Sequence, residues 1–439
     1  MPDAGSVVVA LLACSLVLLA WVARAGVRQT LHPAVVFPLH WGVMLLLIFA
    51  AAPLGFYQVS PLAAGLFVLG ALVFVVGGLL GNQMGLMWHQ PARDDPWRYL
   101  NYRWLVGACA LLHMVMLPLL WQELSAIADG STDLLTIGFQ VRYKTVLGEA
   151  AIGPLVGNYL VLGFIIAPIL AVGAFRGQIS GWVALAISAP WVMANLVTNG
   201  RAGLVQLIVV LAYLRATEPK PLNLRAVLIG LAGFLAIFGG GVVLVAKGNT
   251  NAEDPPGEIA LAVITNLADY ALQGPILFSR YLGGEARVES SWDALVFPCT
   301  MLQYAGLCKP GVLHQEFADF GRLDQIGNVY SLYFAVLPKY GLLGVVIIVG
   351  LYGAWSAFAH RRHLQGGSLG HTVVAAYLFS AVPLSIFSDY FAPSLNFLIK
   401  TAIACVLLQR YCRKRGTAGR ADPGSRCAEH AVPLDAARP

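Results

Sequence analysis

The side chains most able to bind a ligand or take part in a reaction are a few cations in a very apolar chain. Arg142, Arg201, Arg280 and Lys339 lie between long hydrophobic runs or at their ends. A guanidinium makes two parallel hydrogen bonds to phosphate oxygens, and a low-dielectric setting strengthens each of them. These cations therefore predict a binding site for an anionic group such as a phosphate or diphosphate.

The three arginines and Lys400 also have purely structural interpretations. Arg201 would be a snorkelling residue at the membrane interface. Arg280 would be one half of a salt bridge within an acidic loop, and Arg142 would belong to a solvated face. Lys400, inside the last apolar run, would pair with an acid such as Asp389.

Three side chains are candidate general bases. Asp269, His314 and Glu316 belong to the longest polar stretch of the chain. A carboxylate or imidazole within hydrogen-bond reach of a hydroxyl can accept its proton during reaction, and the sequence does not choose among the three. The lone histidines within apolar runs, His40 and His113, are predicted to be packed core residues.

Composition decides the class of protein that positions these residues. Of 439 residues, 58% are hydrophobic and only 11% are charged, against roughly a quarter charged in an average soluble domain. So few charges cannot cover a soluble globule, and the continuous apolar runs argue against a membrane β-barrel. Arginines in cytoplasmic loops would account for the net charge of +6, which therefore does not indicate nucleic-acid binding. The sequence therefore predicts an all-α polytopic membrane protein.

About eleven apolar runs are long enough, or nearly so, to cross a bilayer. We predict spans at 5–23, 34–52, 62–80, 104–121, 155–175, 182–197, 200–214, 226–246, 341–359, 372–387 and 392–411. The run 182–214 is too long for one crossing, and its Thr198-Asn-Gly-Arg201 break predicts a hairpin of two short helices.

The distribution of Lys and Arg predicts the orientation. The loops after spans 1, 3, 5, 7, 9 and 11 carry the basic residues, so this side is predicted to be cytoplasmic. The N-terminus is then predicted outside, without a cleaved signal peptide, and the C-terminal tail inside. Four regions follow: helices 1–8 over 1–246, an outer loop over 247–340, helices 9–11 over 341–411, and a disordered cytoplasmic tail over 412–439.

The large outer loop is predicted to contain two special helices. Residues Glu258 to Gln273 have an amphipathic pattern, with Asp269 on the polar face, and Gly274-Pro275 is expected to break this helix. The apolar segment 326–338 is too short to span and is followed by Pro338-Lys-Tyr-Gly341. We expect it to be a short re-entrant helix that borders a cavity.

The same loop contains two of the seven cysteines. Cys299 and Cys308 would form a disulfide if the loop faces an oxidising periplasm. The alternative is a pair of reduced or buried thiols.

Two stretches resemble a known family. Thr198-Asn-Gly-Arg201-Ala-Gly-Leu204 opens a helix, and Asn328-Val-Tyr330-Ser-Leu-Tyr-Phe precedes Pro338-Lys-Tyr-Gly341-Leu-Leu-Gly344. With the large loop between them, they resemble the Wzy-type oligosaccharide repeat-unit (O-antigen) polymerases over about residues 1–411. Lys339 stands where that family usually has an acidic residue.

The resemblance implies a GT-C-like, metal-independent glycosyltransferase without a cofactor in the bacterial inner membrane. Such an enzyme transfers the growing glycan from undecaprenyl diphosphate to the next lipid-linked repeat unit at the periplasmic face. Arg201 is the first candidate ligand of the diphosphate, followed by Arg280, then Arg142 and Lys339. Asn328 and Tyr330 are expected to line the site. A polysaccharide co-polymerase and a flippase are the implied partners, beside membrane lipid.

Two other functions remain as alternatives. An O-antigen ligase would share the fold type and the donor, but ligases usually have a His-Asn pair at the start of the re-entrant helix, where this chain has Gly327-Asn328. A transporter or flippase of lipid-linked oligosaccharide would carry charges deep in many spans.

Overall fold

A computed structural model describes residues 4–88, 97, 99–146, 148–198, 201–218, 233, 255–285, 296–303, 305–307, 318–321 and 326–412. Its α-helices are α1 Ala4–Val27, α2 Pro33–Ala50, α3 Pro61–Met87, α4 Tyr102–Ile127, α5 Leu134–Val146, α6 Pro154–Phe175, α7 Gly181–Val197, α8 Arg201–Thr217, α9 Pro256–Leu282, α10 Val296–Gln303, α11 Leu332–Gly344, α12 Gly350–Leu364, α13 Leu369–Leu384 and α14 Leu395–Tyr411. A π-helical turn, Val345–Val349, joins α11 to α12, and Ala52–Leu54 is a 3-10 turn. The strands β1 Ala318–Asp319 and β2 Ile326–Gly327 form one short antiparallel pair.

The helices confirm the predicted class of an all-α polytopic membrane protein. Within the described residues, six helices are long and apolar enough to cross a membrane: α1, α2, α3, α4, α6 and the run Leu332–Leu364. α7, α8 and α13 are apolar but shorter. The predicted two-helix hairpin corresponds to α7 and α8, which contact each other. Apart from residue 233, the predicted span over 226–246 lies outside the described residues.

Local sequence signals account for several helix starts. Proline occupies the first turn of α2, α3, α6 and α9, where its missing N–H costs no hydrogen bond. Ser60 caps α3 by accepting a hydrogen bond of 3.2 Å from the Ala63 amide.

The tightest helix pair is α3 with α12. A Cβ on Gly77 would overlap the carbonyl oxygen of Gly350, and a Cβ on Gly81 would overlap that of Ala354. Gly353 in turn faces the Phe74 carbonyl. Small residues at four-residue spacing let two membrane helices approach closely, which is how van der Waals packing stabilises them without a hydrophobic driving force.

Loops on alternate sides of the helices divide the bundle into two ends. At one end the segment 51–60 meets the long loop, since the Ser60 amide donates a 2.8 Å hydrogen bond to Ser279 Oγ and Phe56 bridges to Gly321. There the Leu332 amide also donates to the Ser385 carbonyl, over 2.8 Å. We call this end, comprising the described residues of segments 51–60, 128–153, 255–331 and 385–394, the long-loop end.

The opposite end carries the other set of loops. The Asn101 amide donates a 2.7 Å hydrogen bond to the Cys412 carbonyl, next to the C-terminal tail. Arg176, after α6, forms a 2.9 Å ion pair with Glu218, after α8. We call this the tail end. Among the described helices, the loops thus alternate between the long-loop end and the tail end.

Helix α9 differs from its prediction in two ways. It continues through Pro275 to Leu282, so Gly274-Pro275 does not break it. Ile264 of its apolar pattern is 63% exposed, whereas Leu272 of the same pattern is buried, as are Asp269 and Gln273 from the polar face. A helix beside lipid turns its polar residues towards the protein, because lipid cannot satisfy their hydrogen bonds.

The predicted break before span 9 is confirmed. Gly341 has φ 60° and ψ −164°, outside the helical region, and it separates the first turns of α11 from the rest of the run. A positive φ favours glycine because it has no Cβ. The helix begins at Leu332, later than the predicted 326, because Ile326 and Gly327 pair with β1.

Candidate functional site

One guanidinium dominates the polar contacts at the long-loop end. Arg280, near the end of α9, donates from Nη1 to the carbonyl oxygen of Asp319 and, over 3.1 Å, to its Oδ2. Its Nε donates to Glu285 over 3.3 Å, and the guanidinium lies over the Tyr57 ring, 4.6 Å from the centroid. The predicted salt bridge within the acidic loop is therefore present. We call Arg280, Asp319 and Tyr57 the arginine latch.

Asp319 is held from three sides. Tyr57 donates a hydroxyl hydrogen bond of 2.8 Å to Oδ2, and the Gly321 amide donates one of 2.7 Å to Oδ1. Partial burial alone would raise the pKa of the Asp319 carboxyl. The hydrogen bonds from Gly321 and Tyr57, with the charge of Arg280, nevertheless bring that pKa below its ordinary value. Asp319 is thus ionised at neutral pH, and the latch links the segment 51–60 to the long loop.

The polar stripe of α9 faces the β1–β2 pair. Asp269, Gln273 and Arg280 recur at spacings of four and seven residues, which places them on one helix face. Gln273 Oε1 contacts Gly327 in β2 so closely that a Cβ would not fit there, while Arg280 binds Asp319 in β1. Asp269 is 9% exposed. Gln273 and Arg280 therefore join α9 to the strand pair, and the candidate base Asp269 lies on the same helix face, four residues before Gln273.

The predicted lining residues follow directly after β2. Tyr330 is fully buried and stacks on Phe334, with ring centroids 4.4 Å apart, while Asn328 is partly buried. Ser331 begins α11, and its buried hydroxyl has no hydrogen-bond partner within the described chain. A Cβ on Gly274 of α9 would approach the Ser331 amide within 3.5 Å. The start of α11 thus packs on the middle of α9.

Arg142 and Arg201 belong to a second group, built from α5, α7 and α8. A Cβ on Gly138 of α5 would lie 3.2 Å from the Val197 carbonyl at the end of α7. Arg142 is one turn, about 6 Å, further along α5, and Arg201 follows Val197 by four residues as the first residue of α8. The helix ends that carry the two arginines are therefore close together.

Arg142 is a partly buried side chain whose guanidinium makes no hydrogen bond or ion pair with the rest of the described chain. Its neighbour Lys144 does have a partner, because it forms a 2.7 Å ion pair with Asp129. Arg142 therefore retains its donors for another acceptor.

Two further lysines occupy positions that the sequence only partly anticipates. Lys339 is exposed and precedes the Gly341 break by two residues. Lys400 does not pair with Asp389, since its Nζ donates to Asn158 Oδ1 over 3.0 Å. Asp389 accepts hydrogen bonds from the Tyr352 hydroxyl and the Phe391 amide, each over 2.8 Å.

Sequence reasoning missed Tyr57 and Asp319. Asp319-Phe-Gly321 is a turn signal that could have been noticed, but nothing local points to Tyr57, 262 residues away. Among the described residues no group of three or more His, Cys, Asp or Glu side chains could hold a metal ion. His314 and Glu316, the other candidate bases, lie outside the described residues.

Comparisons with protein-family models, with characterised proteins and with solved structures give no match to this chain. The resemblance to the Wzy-type polymerases stays a prediction from the sequence.

Proposed function

We propose that this protein is a glycosyltransferase of the bacterial inner membrane. It polymerises undecaprenyl-diphosphate-linked oligosaccharide repeat units into O-antigen or a related surface polysaccharide. In this proposal the long-loop end is periplasmic, the tail end is cytoplasmic, and the helices form an eleven-span GT-C-like fold. A chain-length-regulating co-polymerase and a flippase are its proposed partners.

The observation that most supports the proposal is the environment of Arg142. This residue is a cation with no partner in the described chain, and its helix contacts α7 four residues before Arg201. Two arginines on neighbouring helix ends, one of them the first residue of α8, suit the four or more oxygens of a lipid diphosphate. An interfacial site with low dielectric strengthens both contacts relative to water.

The proposed reaction needs a cationic site and a base. The acceptor hydroxyl oxygen attacks the anomeric carbon of the donor glycan, and the bond from that carbon to the diphosphate oxygen breaks. The leaving diphosphate takes the electron pair, so fixed cations stabilise the charge that develops there. Asp269, His314 or Glu316 accepts the proton of the hydroxyl.

The arginine latch changes the order in which the cations are candidates for binding the diphosphate. Arg280 binds Asp319 and Glu285, so it would have to exchange these partners before it could bind a diphosphate. Arg201 and Arg142 therefore rank ahead of Arg280, with Lys339 last. Tyr330 is fully buried, which suits a residue that shapes the wall of the site through Phe334.

A reconstitution assay tests the proposal. Purified protein is given lipid-linked repeat units with and without divalent metal, and the products are separated by length. We expect long glycan on polyprenyl diphosphate under both conditions. Unchanged single units, or units merely moved across a vesicle membrane, would favour a transporter, and glycan passed only to a lipid A-core acceptor would identify a ligase.

Substitutions test whether Arg201 and Arg142 contribute to polymer synthesis. We expect Arg201→Ala and Arg142→Ala to lower polymer synthesis by about 100-fold or more, since each removes a fixed charge at the leaving group. Arg201→Lys should restore only part of the activity, because an ammonium cannot make the bidentate contact. Arg103→Ala, an exposed cation at the tail end, is the matched control. Wild-type chain length in Arg201→Ala would remove that residue from the site.

A further inference from the structure

Lys400 lies on the exposed side of α14. It shares that face with Ile403 and Leu407, three and seven residues later, and Ile403 is 56% exposed. The opposite face of the helix carries the buried residues Leu398 and Cys405. Lys400 is itself exposed, so its ammonium group projects from an apolar surface rather than into the bundle.

The ammonium has one partner in the described chain. Its Nζ donates to Asn158 Oδ1 over 3.0 Å, and Asn158 Nδ2 donates to the Pro154 carbonyl over 2.8 Å. An ammonium group has three donors, so two remain, and the charge is not neutralised by any carboxylate among the described residues. An uncompensated charge beside lipid is costly unless it meets an anion or the headgroup region.

Lys400 and its partner Asn158 lie towards the long-loop end of the bundle. Asn158 is in the first turns of α6, which starts at the long-loop end. The α6 N-terminus already has a carboxylate, because Glu123 accepts a hydrogen bond from the Gly153 amide. The attraction for an anion therefore comes from Lys400 and not from the helix dipole.

We propose that Lys400 and Asn158 bind the phosphate group of a membrane lipid on the outward face of α6 and α14. Two sources share this chemistry: the headgroup of an anionic phospholipid, and a polyprenyl phosphate or diphosphate. The site is built from α6 and α14, whereas Arg142 and Arg201 belong to α5 and α8. It does not depend on the polymerase proposal, because a phospholipid alone would satisfy it.

Photocrosslinking tests the site in the full-length protein. A benzophenone amino acid replaces Ile403, and the protein in phosphate-free detergent receives radiolabelled phosphatidylglycerol, undecaprenyl phosphate or diacylglycerol in separate arms. We expect labelling by one or both phosphate lipids and little by diacylglycerol. In a Lys400→Gln background the labelling should fall at least fivefold, and Lys400→Arg should retain it.

The same crosslinker at Leu11, a 65% exposed residue of α1, is the control and should be insensitive to Lys400→Gln. Stronger labelling by phosphatidylglycerol identifies a headgroup site, and stronger labelling by undecaprenyl phosphate identifies a polyprenyl site. Equal labelling by diacylglycerol, or labelling that survives Lys400→Gln, would overturn the proposal.

Discussion

Arg280 on α9 and Asp319 on β1 form an ion pair of 3.1 Å across 39 residues of chain. Their side chains are 20% and 30% exposed, so the pair is partly shielded from water. The Tyr57 hydroxyl binds the same carboxylate oxygen. The latch therefore fixes the end of α9 against both the strand pair and the segment 51–60.

The latch predicts a pH-dependent stability. The pKa of Asp319 is lowered in the folded protein, so its contribution is complete above the ordinary value of 3.8. It is lost as the pH falls from that value through the lower folded pKa. Asp319→Asn should cost about 0.5–1 kcal/mol near pH 7, which is the range for a partly exposed pair.

Thermal unfolding in detergent between pH 3 and pH 7 measures this effect. The midpoint difference between wild type and Asp319→Asn should shrink as the pH falls below about 4. A difference that stays constant over the whole range would mean that the charge of Asp319 does not stabilise the latch. Tyr57→Phe, which removes one hydrogen bond but no charge, should give a smaller difference at neutral pH.

The packing of α9 on the segment 385–394 predicts a second effect. A Cβ on Gly274 would overlap the carbonyl oxygen of Ile386, which is backbone and cannot rotate away. Gly274→Ala should therefore destabilise the protein by about 1–3 kcal/mol, the usual cost of overpacking. It should also lower polymer synthesis, because α9 carries Asp269.

Gly257 provides the matched control on the same helix. A Cβ at Gly257 meets no atom within 4 Å. Gly257→Ala should be neutral or stabilise the helix by up to about 1 kcal/mol. Denaturation midpoints measured in the same detergent compare the two variants directly. Equal midpoints for them would show that α9 does not rest on Ile386.

Local signals made part of this fold predictable. The Thr198 to Arg201 break and the Gly341 break both involve glycine next to polar residues, and both separate helices in the structure. Pro275 misled the prediction. One proline removes a single helix hydrogen bond, and α9 continues because Ile276 and the residues after it are buried against the bundle.

Long-range pairing was not predictable from one sequence. A salt bridge was one of two interpretations of Arg280, and the sequence could not name Asp319 because several acids of the long loop were equally plausible partners. For Lys400 it offered a pair with a nearby acid such as Asp389, whereas Asp389 accepts a hydrogen bond from the Tyr352 hydroxyl. Which side chains pair depends on the distances between helices, and the pattern of apolar residues in a sequence does not give those distances.

His113 confirms the prediction of a packed core histidine and leads to a third test. Its Nδ1 lies 2.8 Å from the Tyr159 hydroxyl, and its Nε2 lies 2.8 Å from the Ile187 carbonyl. A carbonyl only accepts, so Nε2 carries the proton and Tyr159 donates to Nδ1. The neutral ring thereby joins α4, α6 and α7.

A double-mutant cycle with His113→Leu and Tyr159→Phe measures this link. Each single change should destabilise the protein by about 1 kcal/mol, because it leaves a polar partner unpaired. The coupling energy should be about 0.6 kcal/mol, within the range for hydrogen bonds between membrane helices. Met114→Ala, at a 68% exposed position of α4, is the control for a change on that helix. Strict additivity would mean that the two side chains do not interact.

The disulfide of Cys299 tests the arrangement of the two ends. Cys299 is disulfide-bonded, whereas Cys14, Cys109, Cys405 and Cys412 are free.

The predicted disulfide partner of Cys299 is Cys308, in the same loop. The alternative partner is Cys427, which follows α14 in the C-terminal tail. Mass spectrometry of unreduced peptides should find the Cys299–Cys308 link, and Cys299→Ser should cost about 2–3 kcal/mol, as expected for a loop of roughly ten residues. A link to Cys427 would join the long-loop end to the tail, which the alternation of helices forbids if a membrane lies between them. That result would overturn both the predicted topology and the predicted pairing of Cys299 with Cys308.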